Sequence, residues 1–115
     1  MKRITVLLAE DHTGVREGFR KLLELEDDIE VVGEAENGRQ AVALVEKLRP
    51  AVVFMDIAMP VLNGLEASRQ ILNAVPSTRI LILTAHRDNA YAKNAMESGA
   101  VGILHKQAIA RVLSE

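Results

Sequence analysis

The sequence has no cysteine and no tryptophan, and only one tyrosine and two phenylalanines. Without cysteine there is neither a disulfide framework nor a thiolate metal site, and the composition suits a reducing compartment. With 3% aromatic residues, the core has to be built from aliphatic side chains. No apolar run approaches the roughly 20 residues of a membrane span. The N-terminal stretch Met1–Glu10 has a basic tip and an apolar run, but it is too short for a signal peptide and ends in acids. A soluble, intracellular, cytoplasmic protein with no membrane partner is expected. Charge of one sign is also lacking: 14 Lys and Arg against 16 Asp and Glu give a formal charge of −2. A module that binds nucleic acid by bulk charge would be basic. Motifs for nucleotide or dinucleotide binding, G-x-x-x-x-G-K-[ST] and G-x-G-x-x-G, are missing too.

What is present is a regular alternation. In 115 residues, 49% hydrophobic, short apolar runs alternate with stretches of helical period. A single domain of this length buries about two-thirds of its unfolded surface. Ile4–Ala9, Val52–Met55, Ile80–Leu83 and Val101–Leu104 are continuous β-rich runs, the pattern of parallel strands covered on both faces. Ile29–Ala35 is more mixed and belongs at a sheet edge. Between them, Val15, Phe19, Leu22 and Leu23 share one face of a helix from about Thr13 to Leu25. Asn37 is placed to cap a second helix carrying Ala41, Leu44, Val45 and Leu48, which Pro50 stops. Leu65, Ser68, Ile71 and Leu72 mark a third helix after Asn63-Gly64. Tyr91, Ala95 and Met96 mark a fourth, ended by Gly99. Ile109, Val112 and Leu113 begin a fifth. The fold class is α/β: five βα units in an open, flavodoxin-like parallel sheet with helices on both faces, for which 2-1-3-4-5 is the common strand order.

In such sheets the functional site lies beyond the carboxyl ends of the strands. Glu10 and Asp11 follow the first run, Asp56 the third strand, Thr84 the fourth and Lys106 the fifth. Taken singly, each has an ordinary explanation: Asp11 as a cap for the helix from Thr13, Thr84 as a strand end, Lys106 as a solvated charge. Taken together, three carboxylates repel one another and invite a cation, and an all-oxygen set suits Mg²⁺. A lysine and a threonine hydroxyl beside them suit a tetrahedral anion such as a phosphoryl group. His12, beside the acids, reads as a helix-start residue facing solvent, although it could ligate a metal. His105 faces away from the rim.

These residues resemble the receiver domain of two-component response regulators. The resemblance rests on Glu10-Asp11, on Asp56 within Met55-Asp56-Ile57-Ala58-Met59-Pro60, on Asn63-Gly64, on Thr84-Ala85 and on His105-Lys106. It covers residues 1–115 as one receiver domain. The segments Thr84–Tyr91 and Ser98–Gly102 look most like the NarL/FixJ (LuxR-type) subgroup. The resemblance implies that Asp56 is the phosphoacceptor. It implies that Glu10, Asp11, Asp56 and the main-chain carbonyl of Ala58 hold Mg²⁺, and that Thr84 and Lys106 engage the phosphoryl group. It further implies a sensor histidine kinase or phosphotransfer protein as phosphodonor and a phosphorylation-dependent homodimer. Output would be control of transcription through a C-terminal DNA-binding domain not contained in this sequence. One departure stands out: the position usually occupied by a switching aromatic residue is Ile103. His86 and Ala58 stand two residues after Thr84 and Asp56, where side chains can influence the lifetime of the phosphorylated form.

Other classes fit less well. An aspartyl-phosphate phosphatase needs a general acid two residues after its nucleophile, and Ala58 cannot serve. A stand-alone receiver, or an interaction module that works without phosphorylation, is the alternative, but such a module would normally have lost one of the key residues.

Overall fold

The computed structural model describes residues 3–84, 93–94 and 96–105. Five strands form one parallel sheet of order β2-β1-β3-β4-β5. The strands are β1 (Ile4–Ala9), β2 (Ile29–Ala35), β3 (Val52–Asp56), β4 (Arg79–Thr84) and β5 (Gly102–His105), and the helices between them are α1 (Thr13–Glu24), α2 (Gly38–Leu48) and α3 (Gly64–Ala74). The expected strand order and the edge position of β2 are both observed. Residues 93, 94, 96 and 97 are helical, and the chain turns at Gly99 with φ +99°, where the fourth helix was expected to end. Tyr91, Ala95 and the expected fifth helix at Ile109, Val112 and Leu113 lie outside the described residues.

The continuous apolar runs conceal an alternation of faces. Leu7, Ala9, Val53, Met55, Ile80 and Ile82 pack with Ala41 and Val45 of α2 and with Ala67 and Ile71 of α3. Val6, Leu8, Phe54 and Leu83 pack on the other face with Phe19 and Leu23 of α1. Phe19 and Phe54 meet edge to face, with ring centroids 5.0 Å apart and planes at 89°. A strand covered on both faces needs no polar face, which is why these runs carry no polar alternation.

The mixed pattern of β2 also has a cause. Val6 pairs with Val31 and Leu7 with Gly33, so Val32 is an extra residue in a bulge. A bulge inverts the facing of everything beyond it, which blurs any simple period. Helix α2 starts on the Asn37 side chain, which accepts from the Gln40 N–H at 2.9 Å, as expected. It ends at Leu48, with Arg49 left-handed at φ 50° ahead of Pro50. Asn63 caps α3 in the same way through the Glu66 N–H. Among the described residues, no helix is long and apolar enough to cross a membrane.

Candidate functional site

The carboxyl ends of β1, β3 and β4 converge on one rim. Glu10 follows β1 directly, and its N–H continues the ladder to Ala35 O at 3.0 Å. Asp56 is the last residue of β3, in register with Leu83, and Thr84 is the last residue of β4. All three are buried, at 0%, 2% and 3% exposure respectively. Asp11 is only partly covered. Ligand atoms of Glu10, Asp11, His12 and Asp56 all lie within 4.8 Å of one another.

Two carboxylates at these depths carry a desolvation cost that grows when both are ionised together. A divalent cation among them removes the repulsion. Opposite oxygen ligands of Mg²⁺ are about 4 Å apart, so carboxylates already this close need only small adjustments to enclose it. Donor chemistry and spacing therefore fit a hard divalent cation.

His12 is the N-cap residue of α1, yet its side chain makes no capping hydrogen bond. Its Nδ1 instead lies 3.1 Å from Glu10 Oε1 and 3.2 Å from Asp11 Oδ1. Asp11 thus does not cap α1, the ordinary role open to it on sequence grounds. His12 is mostly exposed, as expected, but it faces the acidic pair.

The loop after β3 shapes the rim. The Ile57 N–H donates to Leu83 O at 3.3 Å and the Gly64 N–H to Ile57 O at 2.9 Å, so the loop folds back on the strand that ends in Asp56. A Cβ on Gly64 would stand 2.0 Å from Asp56 O, so only glycine allows α3 to begin here. The Leu62 N–H donates to Pro60 O at 2.7 Å across Val61, which has φ 70°. This is a γ-turn of the strained, positive-φ kind, centred on a β-branched residue. Ala58 is exposed on this loop, whereas Ile57 and Met59 are buried beneath it.

Two expected site residues lie outside the described residues: Lys106, which follows β5 in sequence, and His86. The side chain of His105 lies outside them as well. The backbone of His105 pairs with Thr84, and Ile103 pairs with Ile82 and packs half-buried against the α2/α3 face of the core.

The sequence reading missed Arg16. Val15 was expected on the inner face of α1, but it is 41% exposed, and Arg16 is buried with Phe19 and Leu23. Arg16 Nη1 donates to Glu10 O at 2.7 Å and Nε to Glu34 Oε1 at 3.1 Å. Hydropathy cannot detect an inward arginine. The available signal was its spacing with Phe19 and Leu23, at i, i+3 and i+7, opposite a strand that carries Glu34.

A 2-1-3-4-5 parallel sheet with an acidic cluster where β1 and β3 end is the architecture of a receiver module, a signalling module. Residues 6–115 match the response regulator receiver domain family, and the chain belongs to that family. It is 40% identical to the transcriptional regulatory protein DegU of Brevibacillus brevis over 98% of this chain and 48% of that protein. It is 43% identical to the response regulator UvrY of Escherichia coli K12 over 91% of this chain and 48% of that protein. The chain thus spans about half the length of the curated relatives it matches. Among solved structures it resembles a LuxR-family two-component response regulator from Aurantimonas sp. SI85-9A1, with TM-score 0.87 and 36% identity, covering 98% of this chain and 86% of that one. It also resembles the isolated receiver domain of RcsB from Salmonella enterica serovar Typhimurium, solved in the presence of phosphomimetic BeF₃⁻. That match has TM-score 0.85 and 30% identity and covers 92% of this chain and 79% of that one.

Proposed function

We propose that this receiver is a phosphorylation-controlled switch in which Asp56 accepts a phosphoryl group from a histidine kinase or phosphotransfer protein. The observation that carries this reading is the placement of Asp56, buried at the end of β3, among the ligand atoms of Glu10 and Asp11. Thr84 ends the neighbouring strand. The related RcsB receiver, solved in the presence of phosphomimetic BeF₃⁻, supports it.

A carboxylate oxygen of Asp56 attacks the phosphorus of a phosphohistidine. The P–N bond breaks as the P–O bond forms, the imidazole leaves, and a mixed anhydride remains on Asp56. Water later cleaves that anhydride and restores the carboxylate. Glu10, Asp11, Asp56 and the Ala58 carbonyl are the residues that would hold Mg²⁺. When bound, the ion supplies charge neutralisation between two anionic reactants. Thr84 donates its hydroxyl to the new phosphoryl group, and Lys106 pairs with it as a point charge. The movement of the Thr84 loop toward the dianion is the switching event.

Control of transcription through a DNA-binding region outside this sequence, with phosphorylation-dependent pairing of two receivers in the cytoplasm, is the output in this reading. The names of the relatives as transcriptional regulators support it.

Intact mass measured after incubation with a small phosphodonor tests the reading. Wild type gains one phosphoryl group, only with Mg²⁺ present, and Asp56→Asn gains none. Stoichiometric labelling of Asp56→Asn would reject the assignment.

A further inference from the structure

We propose that Arg16 is a positioning residue for the acidic pair, acting through the main-chain carbonyl of Glu10; this rests on the metal role proposed for Glu10 and Asp11. An arginine is almost never buried unless it is paired, and the Arg16 side chain is 9% exposed. Its guanidinium has three anchors on different parts of the fold. Nη1 donates to Glu10 O at 2.7 Å, Nε donates to Glu34 Oε1 at 3.1 Å on β2, and Nη2 lies 3.7 Å from Glu36 Oε1 beyond β2. Arg20 buttresses the assembly from the next turn of α1 by pairing with Glu34 and, at 3.5 Å, with Glu24.

The bond to Glu10 O is the informative one. That oxygen belongs to the peptide joining Glu10 to Asp11, which is planar. Holding the carbonyl fixes the plane, and with it the position of the Asp11 Cα that carries the second carboxylate. The preceding peptide is held from the other side, because the Glu10 N–H donates to Ala35 O at 3.0 Å. Glu10 is therefore pinned on both sides, by the β2 backbone and by Arg16, and the two acids are presented to the rim in a fixed relation. The guanidinium fork is rigid and its donor directions are set. A lysine ammonium can satisfy Glu10 O or the Glu34 carboxylate, but it cannot hold both in this geometry.

Charge alone would act in the opposite direction. A cation near the acids disfavours a second cation, so neutralising Arg16 would tighten metal binding if electrostatics were its only influence. Positioning predicts a loss instead, and the sign separates the two.

The test is calorimetric titration of Mg²⁺ into wild type, Arg16→Gln, Arg16→Lys and Glu34→Gln, with folding checked by circular dichroism and thermal melting. Removing an outer partner of a metal ligand typically lowers affinity about 10–100-fold. Arg16→Gln is expected to bind Mg²⁺ about tenfold more weakly than wild type. Arg16→Lys is expected not to restore wild-type affinity, and Glu34→Gln, which leaves an acceptor but removes the charge that strengthens the bond to Arg16 Nε, to show a smaller loss in the same direction. If Arg16→Gln fails to fold, the Lys and Glu34→Gln variants carry the test. Folded variants with wild-type Mg²⁺ affinity and only a lowered melting temperature would overturn the proposal, leaving Arg16 a staple of the fold. So would tighter binding in Arg16→Gln with wild-type affinity in Arg16→Lys. If wild type itself binds no Mg²⁺, the metal reading fails and this inference fails with it. Wild-type binding with unaffected variants removes this inference alone.

Discussion

Asp11 and Ala58 are proposed to serve the same ion by different means. Asp11 brings a full negative charge on a partly covered side chain, whereas residue 58 offers a main-chain carbonyl that any side chain would leave in place. Asp11→Ala is therefore expected to weaken Mg²⁺ binding strongly, and Ala58→Gly only slightly, through added flexibility of an exposed loop position. Titration calorimetry at fixed ionic strength compares them, and wild-type affinity in Asp11→Ala would remove Asp11 from the metal site. His12 belongs to the same scale. Its Nδ1 sits 3.1 Å from the buried Glu10 carboxylate, so the residue that starts α1 leaves the helix N-terminus without a side-chain cap and faces the acids instead.

Among the elements, the β3–α3 loop makes the sharpest demands on individual residues. Gly64 lets the first turn of α3 rest against the carbonyl of Asp56, where a Cβ would come within 2.0 Å of that oxygen. The conflict is with backbone, which no side-chain rotation relieves. Gly64→Ala is expected to destabilise the domain by about 1–3 kcal/mol, the usual range for overpacking, and to displace Asp56 from its neighbours. Three residues earlier the demand is reversed. Val61 holds a left-handed conformation at φ 70° with its side chain 69% exposed, so it pays strain for little burial. A left-handed L-residue costs roughly 1–2 kcal/mol, and glycine gives back part of that through the entropy of the unfolded chain. Val61→Gly is expected to raise stability by up to about 1 kcal/mol. Urea unfolding of both variants checks the pair. A stabilised Gly64→Ala or a clearly destabilised Val61→Gly would contradict this account of the loop.

For the whole molecule, the acidic rim links stability to metal. Glu10 and Asp56 are at most 2% exposed and close together, so the folded state holds charges that a bound cation would relieve and the unfolded chain would not hold together. A ligand that binds only the folded state stabilises it by about 2.7 kcal/mol at a hundred times its Kd. For a domain of this size that corresponds to a rise in Tm on the order of 10 °C. Scanning calorimetry with increasing MgCl₂, against NaCl of matched ionic strength, is expected to show this rise in wild type and little of it in Asp11→Ala. A flat Tm in wild type would show that the cluster does not take up the ion in the folded state.

Local periodicity was enough to identify the α/β class, the strands, the first three helices and the rim where Glu10, Asp11, Asp56 and Thr84 gather. Continuous β-rich runs arise only where both faces of a strand are covered, and chain connectivity sends every parallel strand out at the same end of the sheet. The caps at Asn37 and the stop at Pro50 were legible for the same reason, because each acts within a few residues of itself. Strand order was expected only as the common arrangement of an open α/β sheet of this size, since periodicity does not specify which strands are neighbours. Tertiary structure decided what depends on partners distant in sequence. The bulge at Val32 follows from the pairing of β2 with β1. The exchange of Val15 for Arg16 on the inner face of α1 follows from acceptors on Glu10 and Glu34 that come within reach only once β1, β2 and α1 have assembled. An arginine carries the hydropathy of a surface residue wherever it stands, and only the acceptors around it can make burial favourable.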